Sequence, residues 1–109
     1  MRRAVPLLLV LSLCVGAARG AEFTRPPLAA HDGNATTVTF AVDAPTDVTV
    51  SILNAQGKVV RHLAAGMLGR NAPAPLRANS LAQSVVWDGN DNRGKAVPAG
   101  KYTVRVGLG

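Results

Sequence analysis

Oxygen-bearing side chains crowd into one short stretch of this chain, Asp88-Gly89-Asn90-Asp91-Asn92, with Arg93 and Gly94 behind it, between apolar runs that end at Trp87 and resume at Tyr102. Two chemistries suit such a stretch. Carboxylate and amide oxygens at alternate positions can ring a calcium ion, and Asp88, Asn90 and Asn92 fall at the first, third and fifth places of an EF-hand loop. The same residue types also build turns, because Asp and Asn bond their own backbone and Gly accepts positive φ. Context favours the turn. An EF-hand loop needs Gly at its sixth place and a bidentate Glu at its twelfth, and those places hold Arg93 and Ala99. No metal and no cofactor is expected here.

Catalytic constellations are sparse elsewhere. His31 falls in a stretch read as loop and His62 in a strand, with no carboxylate or serine at motif spacing beside either. No nucleophile elbow, phosphate-binding loop, paired-histidine zinc motif or paired-cysteine motif occurs. The chain is therefore read as non-enzymatic. Asn34-Ala35-Thr36 is a glycosylation sequon, which matters only in a host that glycosylates.

The elements that must position the acidic loop are strands. Thr36 to Val42 alternates, with Val38, Phe40 and Val42 on one face and Thr37, Thr39 and Ala41 on the other, the period of a half-buried strand. Ala44-Pro45-Thr46 breaks the pattern, and a second strand follows with Val48, Val50 and Ile52 on one face. Asn54-Ala55-Gln56-Gly57 is a short turn, so Lys58 to Leu63 returns as a third strand of a hairpin. Ala65 to Gln83 carries Gly66, Gly69, Pro73 and Pro75 without a period and reads as a long connection, holding a short strand or helical turn near Leu76 to Leu81 or wrapping a sheet edge. Ser84 to Trp87 is a fourth strand, and Lys101 to Val106 a fifth, with Tyr102, Val104 and Val106 on one face. All-β is the consistent class.

The first twenty residues read as a secretory signal: Arg2 and Arg3, an apolar run from Pro6 to Val15, then Ala18-Arg19-Gly20 ahead of Ala21. The run is shorter than the roughly 20 residues that a bilayer span needs. Leu13 before Cys14 argues against a lipid anchor at that cysteine, and with Cys14 in the leader no disulfide or thiolate site is expected in the mature part. The expected location is secreted or periplasmic. The chain has twelve Lys and Arg against six Asp and Glu; Arg2, Arg3 and Arg19 leave with the leader, so nine stand against six, a balance of +3. Those cations are scattered singly, and two Phe, one Trp and one Tyr are too few for a base-stacking platform. Nucleic acid is not an expected partner.

Trp87-Asp88-Gly89, Asp91 two residues on, Gly94 three after that, and Pro98-Ala99-Gly100-Lys101-Tyr102 before the last strand together resemble the FlgD-type immunoglobulin-like domain, first described in flagellar hook-capping proteins and found in secreted bacterial proteins. Trp87, Asp88, Gly89, Asp91, Gly94, Pro98, Gly100 and Tyr102 all match that pattern, and the resemblance covers about residues 36–106. It implies an immunoglobulin-like antiparallel β-sandwich, complete or short of strands, acting as a spacer or docking module beside another domain. Two features depart from the family: the connection between Leu63 and Val85 is long, and a secretion signal replaces flagellar export, so the flagellar role does not transfer. Asp88 to Asn92 also coincides with a cadherin linker motif, whose calcium sites draw further acids from a neighbouring domain.

Each residue of the motif has a backbone task on this reading. Trp87 anchors the core, Asp88-Gly89 turns the chain, and Gly94 with Pro98-Ala99-Gly100 brings it round to the final strand. The expected organisation is a signal peptide at 1–20, an N-terminal segment at 21–35 and the immunoglobulin-like domain at 36–109. The expected function is a non-catalytic secreted module with a structural or protein-interaction role, the front part of a larger protein, with a protein or an adjoining domain as partner. The alternative is a calcium-dependent adhesion or carbohydrate-binding domain; Trp87 and Tyr102, claimed by the core, leave few aromatics to stack on sugars.

Overall fold

The computed structural model describes residues 21–33 and 35–109; the expected signal peptide and Asn34 of the sequon lie outside the described residues. The described residues form six strands: β1 Phe23–Asp32, β2 Ala35–Val42, β3 Asp47–Leu53, β4 Val59–Met67, β5 Ala82–Trp87 and β6 Thr103–Leu108. They form two antiparallel sheets, in the orders β1-β2-β5 and β4-β3-β6. The described residues hold no helix long and apolar enough to cross a membrane.

Alternation in the sequence becomes the sandwich core. Val38, Phe40 and Val42 of β2 face Val48, Val50 and Ile52 of β3, and Val85, Val104 and Val106 complete the layer. All are at most 2% exposed. Each such side chain contributes about 1.5–3 kcal/mol by leaving water. Phe23 packs edge-on against Phe40, with ring centroids 6.2 Å apart.

The β3–β4 hairpin turns at Asn54, whose Oδ1 accepts the Gln56 and Lys58 amides at 2.9 and 3.0 Å. Gly57 closes the turn at φ 82°, in the left-handed region. The long connection folds back over β4: a Cβ on Gly66 would lie 2.4 Å from Cγ of Pro73, so only glycine fits beneath that ring. Leu76 is buried, and the connection contains turns but no strand or helix.

Three expectations are corrected. Residues 23–32 are a strand, so His31 lies in β1 and not in a loop. Pro26 and Pro27 hide that strand in the sequence; they are accommodated because β1 is an edge strand whose pairing with β2 shifts register between Phe23 and Arg25 and again between Arg25 and Leu28. The third strand runs on to Met67 and the fourth starts at Ala82, which shortens the connection to residues 68–81. The last strand begins at Thr103 and ends at Leu108, with six strands where five were read.

Candidate functional site

β5 ends at Trp87, in one sheet, and Tyr102 leads into β6, in the other. Their rings meet at 5.6 Å between centroids and 60° between planes, so the loop from Asp88 to Lys101 starts and ends on one aromatic contact that spans the two sheets. Trp87 Nε1 donates to the Asn90 carbonyl at 2.8 Å, and the Tyr102 hydroxyl donates to the Pro98 carbonyl. Both buried aromatics thus satisfy their polar tips on the loop they anchor. Burial raises the Tyr102 pKa above the usual phenol value.

Inside the loop, two successive turns are each closed by one carboxylate oxygen. Asp88 Oδ1 accepts the Asn90 amide at 3.0 Å. Asp91 Oδ1 accepts the Lys95 amide at 3.0 Å and the Arg93 amide at 2.8 Å, and these two backbone bonds lower its pKa below the ordinary carboxylate value. The Asp91 carbonyl accepts the Gly94 amide, and Gly94 sits at φ 85°. Gly89 takes φ 86°, and its carbonyl accepts the Val97 amide, which folds Val97 into the core. Gly100 and Pro98 lie between that point and Tyr102, where the chain reverses toward β6.

The loop is docked as well as folded. Asn92 acts as a one-residue strand on the edge of β4: its amide donates to the Val60 carbonyl at 3.0 Å, and its Oδ1 accepts the His62 amide at 2.9 Å. Arg61, between them in sequence, sends one guanidinium nitrogen to Asp88 Oδ1 at 3.1 Å, the Asn90 carbonyl at 3.0 Å and the Asp91 carbonyl at 3.3 Å. Oxygens of the loop therefore do converge on a cation, and that cation is a tethered guanidinium. Of the side-chain oxygens on which the calcium reading rests, Asp88 Oδ1 is bonded to this guanidinium and Asn92 Oδ1 to the His62 amide. Among the described residues, no three His, Cys, Asp or Glu side chains come together as a metal ion would require.

His31 and His62 stand in different sheets, on β1 and β4. His31 Nδ1 lies 3.0 Å from Thr36 Oγ1, a contact across the β1–β2 pair, and the backbone amide of His62 is taken by Asn92. Neither joins a nucleophile and an acid.

Two residues central to this region are given no role in the sequence reading, one without a signal and one with. Arg61 looked like the polar position of a strand, and nothing in one dimension connects it to oxygens almost thirty residues away. Gln83 closes the other end of β5: it is 3% exposed, its Oε1 accepts the Arg77 amide at 2.7 Å, and its Nε2 donates to the Arg77 and Ser80 carbonyls at 3.0 and 2.9 Å. A glutamine within an alternating apolar strand is the cue that such a clamp exists, because a buried amide must find partners. A scan against protein-family models, a search of the curated proteins and a search of the solved structures each returned no match to this chain.

Proposed function

We propose that the chain is a secreted, non-catalytic immunoglobulin-like module of the FlgD type, with a structural or protein-contact role beside other domains or proteins. The observation that carries this reading is the use made of the acidic loop: its carboxylates and carbonyls are bonded to backbone amides, Arg61 and the Trp87 indole, so its chemistry is consumed in holding two sheets together. Strand order supports the immunoglobulin-like assignment. Strands β1-β2-β5 correspond to A-B-E of that fold and β4-β3-β6 to C′-C-F. The bond from Tyr102, just before β6, back to the Pro98 carbonyl has the form of a tyrosine corner at the start of strand F.

The outer face of the β1-β2-β5 sheet supports a contact role. Leu28, Thr39 and Ser84 stand in one row across it, and Ala30, Thr37 and Val86 in the next. Leu28 and Val86 are each 57% exposed, and these two rows lie between Arg25 at one end of the face and Asp32 at the other. The test is in-cell photo-crosslinking from a photoreactive residue placed at Thr39, with Lys58 on the hairpin end as the comparison site. A discrete protein adduct from Thr39 alone is expected. Turnover of a peptide, ester or glycoside by the purified chain, abolished by His31→Ala or Asp88→Ala, would overturn the non-catalytic reading.

A further inference from the structure

An aspartate followed by glycine can react with its own main chain. The glycine nitrogen attacks the aspartate Cγ, a nitrogen–carbon bond closes a five-membered imide, and the carboxyl oxygen leaves as water, taking up the amide proton. Water then reopens the ring at either carbonyl. Cleavage at Cγ restores aspartate, and cleavage at the original main-chain carbonyl carbon leaves the chain running through Cβ and Cγ, as isoaspartate. The water released is the water returned, so the atoms balance and no oxidant is needed. Glycine is the favoured follower because it has no Cβ to crowd its nitrogen. Of the chain's aspartates, Asp32 and Asp88 precede a glycine, and no asparagine does. Both stand in the same tripeptide, Asp-Gly-Asn, so their intrinsic reactivities match and structure alone separates them.

The fold treats the two oppositely. Asp88 is held: its Oδ1 accepts the Asn90 amide at 3.0 Å and the Arg61 guanidinium at 3.1 Å, and its Oδ2 lies 3.4 Å from Asn90 Nδ2. Ring closure must turn that carboxyl away from these donors before Cγ can meet the Gly89 nitrogen. Asp32 has no such restraint. It is exposed at the end of β1, and its carboxylate has no hydrogen-bond or ion-pair partner among the described residues.

The nucleophile at this site is equally open. Asp32 pairs with Ala35, so Gly33 opens a two-residue hairpin turn, in which the flanking residues bond each other and the amide between them is left over. Gly33 is exposed, its amide donates to no partner among the described residues, and a Cβ built on it would meet nothing within 4 Å. Its φ of 64° is the left-handed conformation that the first position of such a turn requires. The turn therefore selects the same residue that makes the pair reactive.

We propose that Asp32-Gly33 is a self-modification site, converted to isoaspartate in the folded chain, and that the conversion loosens β1. Isoaspartate adds one carbon to the main chain inside the shortest hairpin turn, so residue 32 can no longer keep its register with Ala35. β1 is an edge strand held by β2 alone, whereas β2 is also paired with β5, so the misfit is relieved by β1 peeling away. The contact of His31 Nδ1 with Thr36 Oγ1, next to the turn, is the first to go. This chemistry is independent of what the module contacts.

The experiment ages the chain, expressed from its full coding sequence and recovered as its host processes it, for weeks in warm neutral buffer, folded and in denaturing urea. Peptide mapping by electron-transfer mass spectrometry then distinguishes isoaspartate from aspartate. In the folded chain, isoaspartate at residue 32 should exceed that at residue 88 by about tenfold or more, the factor that freeing a carboxylate from one bond to a charged group imposes on a rate. In urea the two sites should react alike. Hydrogen exchange on the aged folded chain should show protection lost at β1 amides and kept in β3. Asp32→Glu, whose ring would need six members and closes far more slowly, should age without either change. Equal modification of the two sites in the folded chain, or an unmodified residue 32, would overturn the proposal; isoaspartate at residue 32 with β1 still protected would overturn the loosening.

Discussion

Replacing Gln83 removes a clamp whose energetic value can be worked from its bonds. Its amide group makes three hydrogen bonds of 2.7, 3.0 and 2.9 Å to Arg77 and Ser80, at 3% exposure. Water is largely excluded, so the usual net value of about 1 kcal/mol per neutral bond applies without a surface discount. Gln83→Leu keeps the side chain's bulk and loses all three, for an expected cost of roughly 2–4 kcal/mol. The domain's total is about 4–13 kcal/mol for residues 21–109 at the usual density of stability, so the loss is a large fraction of it. Urea unfolding followed through the fluorescence of Trp87, the single tryptophan, reads the change as a shift of midpoint at constant slope. Gln83→Glu gives the sharper test. A carboxylate can accept from the Arg77 amide but faces the Arg77 and Ser80 carbonyls with no proton to donate. Its folded-state pKa should be raised above the unfolded value, so its stabilisation should be present below about pH 4 and lost as pH rises through the folded pKa. A Gln83→Leu midpoint within about 0.5 kcal/mol of the parent, or a Gln83→Glu stability flat across that range, would refute the clamp.

Four other outcomes follow from the same structure. Trp87→Ala should unfold the chain or remove most of its stability, since truncating a buried aromatic costs roughly 3–5 kcal/mol; an unchanged melting temperature by circular dichroism would show that Trp87 is not a core anchor. Asp91→Asn should weaken the acid dependence of stability: the folded pKa is depressed, so the contribution is present above the unfolded carboxylate value and lost as pH falls through the folded one, and an identical acid limb in parent and variant would contradict the Asp91 turn. Excess calcium should leave the melting temperature where chelator leaves it, because Asp88 Oδ1 and Asn92 Oδ1 are already bonded to Arg61 and to the His62 amide; a rise of several degrees that Asp91→Ala abolishes would make the loop a metal site. The secreted chain should begin at Ala21, and an intact mass retaining residues 1–20 would refute the signal reading.

Legibility in the sequence followed the strength of alternation. β2 and β3 repeat apolar and polar residues with period two, and both were readable to within a residue or so, as was the turn between β3 and β4. β1 was not. Its exposed residues Thr24, Arg25 and Pro26 give no period, and its inward positions are Pro27 and the small Ala29, so its strand character comes from pairing with β2 and not from its own side chains. The far half of β4 was missed for the same reason, since Ala64-Ala65-Gly66 has little strand propensity and is held extended by β3. Local bonds of the acidic loop could be anticipated from Asp and Gly spacing, because an Asx turn is written within a few residues. Its docking could not, because Arg61 and Asn92 reach their partners, about thirty residues away, only after the sandwich has formed.

The loop's position explains why so polar a stretch can matter to a core. Two sheets stacked face to face share no main-chain hydrogen bonds, so their relative placement depends on nonpolar packing, which is not directional. The acidic loop adds direction. One end is fixed to the first sheet through Trp87, the other to the second through Tyr102, and its middle is bonded to β4 through Asn92 and Arg61. A shift of one sheet against the other must strain or break several of these bonds together. A perturbation inside the loop should therefore register as loss of the whole cooperative transition and not as local fraying. Hydrogen exchange discriminates the two: in Asp91→Ala, protection should fall in parallel at the Val97 amide within the loop and at amides of β2 and β3 in the core. A fall confined to residues 88–101 would mean that the loop is only decoration on a sandwich that holds its own alignment.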